Sequence, residues 1–220
     1  MASQGKPAEA RRPAPRLYLV TPQAGDPDGL RDALAGALAA ADVAAVLLRL
    51  AAADDRTLIN RAKALAPAVQ DQGAALVLDG HPEIVARAGA DGAHLAGIDA
   101  LNAALTTLKP TRIAGCGGLN SRHDAMLAAE AGADYVMFGE PDAAGRRPAF
   151  EAITERVAWW AEVFEAPCIG FAGSLDEIEP LAGAGADFVA LGDWVFSEAR
   201  GCAGAVGEAA RRLAVAEPIA

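Results

Sequence analysis

A chain of 220 residues, 53% hydrophobic and 22% charged, is long enough to bury one sizeable core and too apolar to be disordered throughout. Its formal net charge of −10 argues against an extended basic face for nucleic acid or anionic lipid, so an anionic ligand would need a focused pocket. The 23 glycines follow no three-residue period, which excludes a collagen-like chain, and three scattered cysteines (Cys116, Cys168, Cys202) exclude a disulfide framework and fit a reducing cytoplasm.

Residues 1–15 combine Lys6, Arg11 and Arg12 with Pro7, Pro13 and Pro15 and contain no apolar segment, so they are expected to form a disordered tail and not a signal peptide. The longest apolar stretch, 33–53, is broken by Asp42 and Arg49 and is not expected to span a membrane. Beyond the tail, short apolar runs suited to buried parallel strands recur at 17–20, 45–50, 75–78, 92–95, 112–116, 135–138, 168–171 and 188–191. Helical spacing fills the gaps: Leu30, Leu34, Leu38 and Ala41, then Phe150, Ile153, Val157 and Phe164, with a last helix at about 206–215. Gly-Ala-Asp recurs at Gly89, Gly132 and Gly185, each time just before a strand, where glycine ends a helix in the left-handed conformation. Ser174 with Glu177 reads as a capping box, and Ser121 with Asp124 as a weaker one. Eight strand–helix units predict a single-domain (β/α)8 TIM barrel over 16–220, in preference to a doubly wound sheet.

In such a barrel the working residues follow the C-terminal ends of the strands, which singles out Arg49, Asp79, His81, His94, Asp99, Gly117, Gly118, Glu140, Gly173, Ser174, Gly192 and Asp193. Arg49 is a charge within an apolar run; it either faces the barrel mouth or forms an ion pair with Asp79 or another acid. Asp79 and Asp99 follow neighbouring strands and suit a hard cation such as Mg²⁺, the alternative being a strand-end residue and a helix cap. The Gly173-Ser174 loop suits a phosphate, while the Gly192 loop carries the unfavourable Asp193. Arg146 and Arg147, on a glycine-containing loop, are expected to be mobile cations that close over it. His94 reads as a satisfied core histidine, His81 and His123 as loop or surface residues, and Cys116 and Cys168 as strand interior.

From Leu17 to Phe196 the chain resembles the thiamine-phosphate synthases and their thiazole tautomerase relatives. Leu17 to Thr21 is similar to that family's opening strand, and Gly89 to Leu95 followed by Asp99 is similar to its GADGVHLGQ stretch ending in an aspartate; Gly132 to Val136 and Pro167 to Gly173 match as well. The resemblance implies a Mg²⁺-dependent (β/α)8 enzyme that couples a hydroxymethylpyrimidine pyrophosphate to a thiazole phosphate, releasing pyrophosphate through a pyrimidine cation. By position, Asp79 and Asp99 fall on the metal-binding aspartates, Arg49 on the arginine of a QLREK stretch that serves the pyrophosphate, and Gly173 on the glycine that holds the thiazole phosphate; the family's TxTK loop after the sixth strand is gone, and Arg147 falls on its lysine position by count. The chain departs from the pattern at Leu47 and Ala51, which replace the glutamine and lysine beside that arginine, and at Leu78 for an asparagine and Gly97 for a glutamine. Gly118 and Asn120 stand for a serine and a histidine, and Asp193 for a phosphate-holding serine. A tautomerase-like isomerase and a catalytically degenerate barrel that binds a phosphorylated ligand therefore stay open. Partners are expected to be small phosphorylated substrates, with no nucleic acid and no membrane, and self-association is left open.

Overall fold

A computed structural model describes residues 13–216, so most of the expected tail, residues 1–12, lies outside the described residues, as do 217–220. Strands and helices alternate from Arg16: β1 (Arg16–Val20), α1 (Pro27–Ala40), β2 (Val43–Leu48), α2 (Asp55–Gln70), β3 (Ala75–Asp79), α3 (Val85–Ala88), β4 (Gly92–Ala96) and α4 (Ile98–Leu108). They continue as β5 (Ile113–Gly117), α5 (Arg122–Ala131), β6 (Tyr135–Phe138), α6 (Phe150–Val163), β7 (Cys168–Ala172), α7 (Ile178–Gly183), β8 (Phe188–Leu191) and α8 (Gly201–Val215). The strands are parallel and close in chain order into one barrel, β8 pairing with β1. The TIM barrel expected from the alternation is the fold observed.

Two boundaries differ in ways that bear on the site. β2 starts at Val43, paired with Leu17, and ends at Leu48, so Arg49 is the first residue past the strand and not part of its apolar run. α8 begins at Gly201, ahead of the expected 206. Between α7 and β7 lies a short 3-10 turn, Leu175–Glu177.

The Gly-Ala-Asp units do more than turn the chain. Gly89, Gly132 and Gly185 have φ of 73°, 105° and 93°, the left-handed region in which a side chain is strained. Each aspartate then reaches back to the strand before it: Asp91 accepts the Leu76 N–H (2.7 Å), Asp134 that of Ala114 (2.7 Å) and Asp187 that of Cys168 (2.8 Å). Each unit thus ties a loop at the N-terminal end of the barrel to the adjacent strand, a structural role far from the chemistry. The two expected caps exchange ranks. Ser121 and Asp124 form the reciprocal box at 3.1 and 3.0 Å, whereas Ser174 makes no side-chain cap and the Glu177 carboxylate is held elsewhere.

Side chains alternate along each strand. Leu19, Val46, Leu48, Leu76 and Leu78 face outward to the helices, while Tyr18, Leu47, Val77, Tyr135, Met137, Ile169, Phe171 and Ala190 fill the barrel. On β5 the inward positions include Gly115 and Gly117. A Cβ at Gly115 would fall on the Tyr135 ring, and one at Gly117 on the Glu140 carboxylate and the His94 imidazole. These two glycines open the space in which a polar group sits inside the barrel.

Candidate active site

The C-terminal strand ends surround an open cavity of ≈ 990 Å³. Its wall includes Arg49, Asp79, His94, Glu140, Arg146, Arg147, Arg156 and Asp193, over apolar side chains from Val20, Leu47 and Met137. The Thr21 hydroxyl, fully buried at the end of β1, accepts the Arg49 backbone N–H at 3.0 Å and fixes where that side chain leaves the barrel. Arg49 Nε lies 3.4 Å from Asp79 Oδ2 and Nη1 3.9 Å from Asp193 Oδ2. Both readings of Arg49 are therefore met at once: it faces the mouth, and it pairs with Asp79. These half-exposed, long contacts hold the guanidinium weakly, leaving it available to an anion.

The loop from Gly139 to Ala149 is organised by its own side chains. Asp142 accepts the backbone N–H groups of Ala144 (2.8 Å) and Arg146 (2.9 Å) and pairs with the exposed Arg146 guanidinium at 2.8 Å. Arg147 is anchored, contrary to its expected mobility. Its Nε–H donates to the Gly139 carbonyl (3.0 Å), Nη2 to the Phe171 carbonyl (2.8 Å) and Nη1 to the Glu177 carboxylate (2.9 Å), so one guanidinium fork joins the ends of β6 and β7.

That arrangement changes the expected phosphate loop. The Gly173 N–H donates to Glu177 Oε2 at 2.7 Å, so a carboxylate already occupies the amide assigned to phosphate, and a Cβ at Gly173 would strike Arg147. A Gly173→Val change thus displaces Arg147 as well as blocking an anion. Ser174 is exposed, and neither it nor Gly173 lines the cavity. Gly192 is buried with a Cβ position 2.8 Å from the Phe171 ring, which gives it a packing role; its neighbour Asp193 is what reaches the cavity. Asp79 reaches the cavity too, but Asp99 is exposed on the first turn of α4 and does not line it.

Deeper in, His94 is buried and bonded on both ring nitrogens. Nδ1 lies 3.0 Å from the Tyr135 hydroxyl and Nε2 3.2 Å from Glu140 Oε2, and Tyr135 meets the Tyr18 hydroxyl at 2.9 Å. These are the chain's two tyrosines. Burial alone would depress the imidazole, but the Glu140 charge, its hydrogen bond and Asp79 override it and raise His94 above its ordinary value. In its protonated form the imidazole donates on both sides, to Glu140 and to the Tyr135 hydroxyl, which is also hydrogen-bonded to Tyr18. Burial pushes both phenols upward, which keeps them neutral, and lifts the Cys116 thiol to about 11.

A histidine raised in the folded state contributes stability that is fully present below its unfolded value, ~6.5, and disappears as pH climbs through the folded one. Denaturant unfolding from pH 6 upward should therefore show stability lost across that step in the wild type, and His94→Gln should flatten it; an identical pH profile in both proteins would contradict the assignment.

Arg156 was not among the residues that sequence reasoning selected. It projects from α6 to the cavity and donates to the Leu119 carbonyl at 2.8 Å, adding a cation beside the positions where Gly118 and Asn120 lack polar grip. Its signal was absent locally, because it sits mid-helix and reaches the site only through the fold. His123 is exposed on α5, as expected.

As for a divalent cation, among the described residues no group of three or more His, Cys, Asp or Glu side chains is placed to hold one. Mg²⁺ takes few protein carboxylates and completes its shell with substrate phosphates and water, so Asp79, which lines the cavity along with Glu140, Asp142 and Asp193 and beside four arginines able to share the phosphate charge, fits a cation that arrives with its anion. Among the described residues no helix is long and apolar enough to cross a membrane.

A family model described as thiamine monophosphate synthase matches residues 17–194. The thiamine-phosphate synthase of Rhodospirillum centenum is 40% identical over 196 residues, covering 88% of this chain and 95% of that protein. That of Hyphomonas neptunium is 36% identical over 203 residues, covering 89% and 92%. Among solved structures, a thiamine phosphate pyrophosphorylase from Pyrococcus furiosus superposes with a TM-score of 0.74 at 21% identity, covering 90% of this chain and 95% of that one. The 3-hexulose-6-phosphate synthase of Salmonella typhimurium superposes at 0.70 with 18% identity, covering 91% and 100%, a likeness of fold alone.

Proposed function

The chain belongs to the thiamine monophosphate synthase family, and from that premise we infer a transferase that couples a hydroxymethylpyrimidine pyrophosphate to a thiazole phosphate with release of pyrophosphate. The observation in the site that carries the reading is the meeting of Arg49 and Asp79, from neighbouring strand ends, in a cavity also lined by Arg146 and Arg147. In the reaction the bond between the pyrimidine methylene and the pyrophosphate oxygen breaks, its electron pair leaving with the pyrophosphate, and the thiazole nitrogen lone pair forms the new C–N bond. No proton is transferred. The protein's tasks are to hold two anionic substrates together, to neutralise the departing charge and to exclude water.

Arg49 and Arg147 are assigned to the pyrophosphate, with the exposed Arg146 closing from the loop. Gly173 and Ser174 are assigned to the thiazole phosphate, which at Gly173 has to displace Glu177, while Gly192 is left to packing against Phe171. Asp79 would hold Mg²⁺ from the cavity wall, and Asp99, outside that wall on the first turn of α4, would have to turn in to join it; the ion when bound supplies positive charge to the pyrophosphate oxygens. Calorimetry should then find Mg²⁺ binding weak alone and stronger with pyrophosphate present, with the synergy lost in Asp79→Asn and in Asp99→Asn; persistence in both variants would reduce these residues to a strand end and a helix turn.

A tautomerase reading gains nothing from the site, since Asn120 stands where the relatives' histidine falls and His123 points to solvent. Expression in a thiamine-requiring bacterium that lacks its own synthase tests the coupling function. Growth without added thiamine is the expected result, and a well-expressed, folded protein that fails to restore it would speak against the reading.

A further inference from the structure

We propose that Glu140, seated on His94 and the Gly118 amide, reads the amino-bearing edge of the pyrimidine ring, a specificity role that rests on the coupling reaction inferred above. The carboxylate is fixed before any ligand arrives. Oε1 accepts the Gly118 N–H, and Oε2 lies 3.2 Å from His94 Nε2. His94 is itself stacked on Tyr135, the ring centroids 5.7 Å apart and the planes 15° from parallel, so the acid cannot swing without disturbing the buried chain of His94, Tyr135 and Tyr18. Gly117 leaves the room it occupies.

Its charge is the telling feature. A cavity for two phosphorylated substrates gains nothing from an acid beside a phosphate, and among the described residues the ion partner of Glu140 is His94, whereas Asp79, Asp142, Asp193 and Glu177 each lie against an arginine. Glu140 therefore suits the part of a substrate that carries N–H donors. Each carboxylate oxygen can accept two hydrogen bonds, so one position remains on each. An aminopyrimidine offers its exocyclic amine and, when protonated, the adjacent ring nitrogen as two parallel donors, while an oxopyrimidine presents a carbonyl oxygen that the carboxylate repels. Val20, Leu47 and Met137 supply apolar surface for the faces of a flat ring. The same negative charge also favours the cation that develops at the ring methylene as pyrophosphate departs.

The test compares binding of a 4-amino-5-hydroxymethylpyrimidine and its 4-oxo counterpart, each without phosphate, by calorimetry, with thiazole phosphate as control. The wild type should prefer the amino compound by at least about tenfold. Glu140→Gln should bring the two within about twofold while leaving thiazole phosphate affinity and circular dichroism unchanged, and Glu140→Asp, with the charge kept and the reach shortened, should fall between. Full preference retained in both variants, or affinity for all three compounds lost together, would overturn the proposal. A wild type that couples its substrates yet shows no amino preference would overturn it and spare the function; a wild type that binds neither pyrimidine would remove both.

Discussion

Arg147→Ala is expected to lower kcat by roughly 10²–10³-fold with the barrel still folded. The guanidinium makes three separate contacts, to the Gly139 carbonyl, the Phe171 carbonyl and Glu177, so it is held at the cavity wall with its orientation already fixed. A preoriented cation stabilises charge that develops on departing pyrophosphate without reorganising at the moment of reaction, and losing one such donor carries a cost of that order. Truncation also leaves the Glu177 carboxylate, which keeps the Gly173 N–H, without its arginine partner. Arg147→Lys should recover little, because an ammonium is a single point of charge and cannot reach both carbonyls and the carboxylate in one geometry. Steady-state kinetics decide it: near-normal kcat in Arg147→Ala would place the leaving-group charge on other residues.

Gly92→Ala should be among the most destabilising changes that add one methyl group, costing about 3 kcal/mol and lowering Tm by roughly 10 °C for a domain of this size. Gly92 pairs with Ile113 across β4 and β5, and the Ile113 N–H donates to the Asp91 carbonyl at 2.9 Å. A Cβ there would land on the Ile113 carbonyl and its side chain, so the obstacle is backbone and the strands themselves would have to part. His94 lies two residues on, which means the shift would carry into the site. A Tm within about 2 °C of wild type would show that the ladder yields more easily than close packing allows.

The barrel was legible because its signals are local. Buried parallel strands read as short apolar runs, and the three Gly-Ala-Asp units mark helix ends by a backbone requirement that glycine meets most cheaply. The family resemblance then pointed to Arg49, Asp79 and Arg147, which line the cavity, and to Asp99 and Gly173, which do not. What escaped depends on contacts between residues distant in the chain. Glu177 carries the spacing of a capping box with Ser174, yet its carboxylate goes to Gly173 and Arg147, because a charged partner outcompetes a neutral cap. Ser121 and Asp124, the weaker pattern, have no such competitor and form the box. The His94–Tyr135–Tyr18 chain joins β4, β6 and β1, and nothing in the sequence around Tyr18 announces a hydroxyl 117 positions away. Arg49 looked buried only because β2 was expected to run past Leu48.

Incubation of the purified protein with hydroxymethylpyrimidine pyrophosphate, thiazole phosphate and Mg²⁺, followed by mass spectrometry of the products, tests the central claim most directly. Thiamine phosphate together with an equimolar amount of pyrophosphate, formed only when both substrates are present, is the predicted result; folded protein that binds both substrates and forms no thiamine phosphate would contradict it.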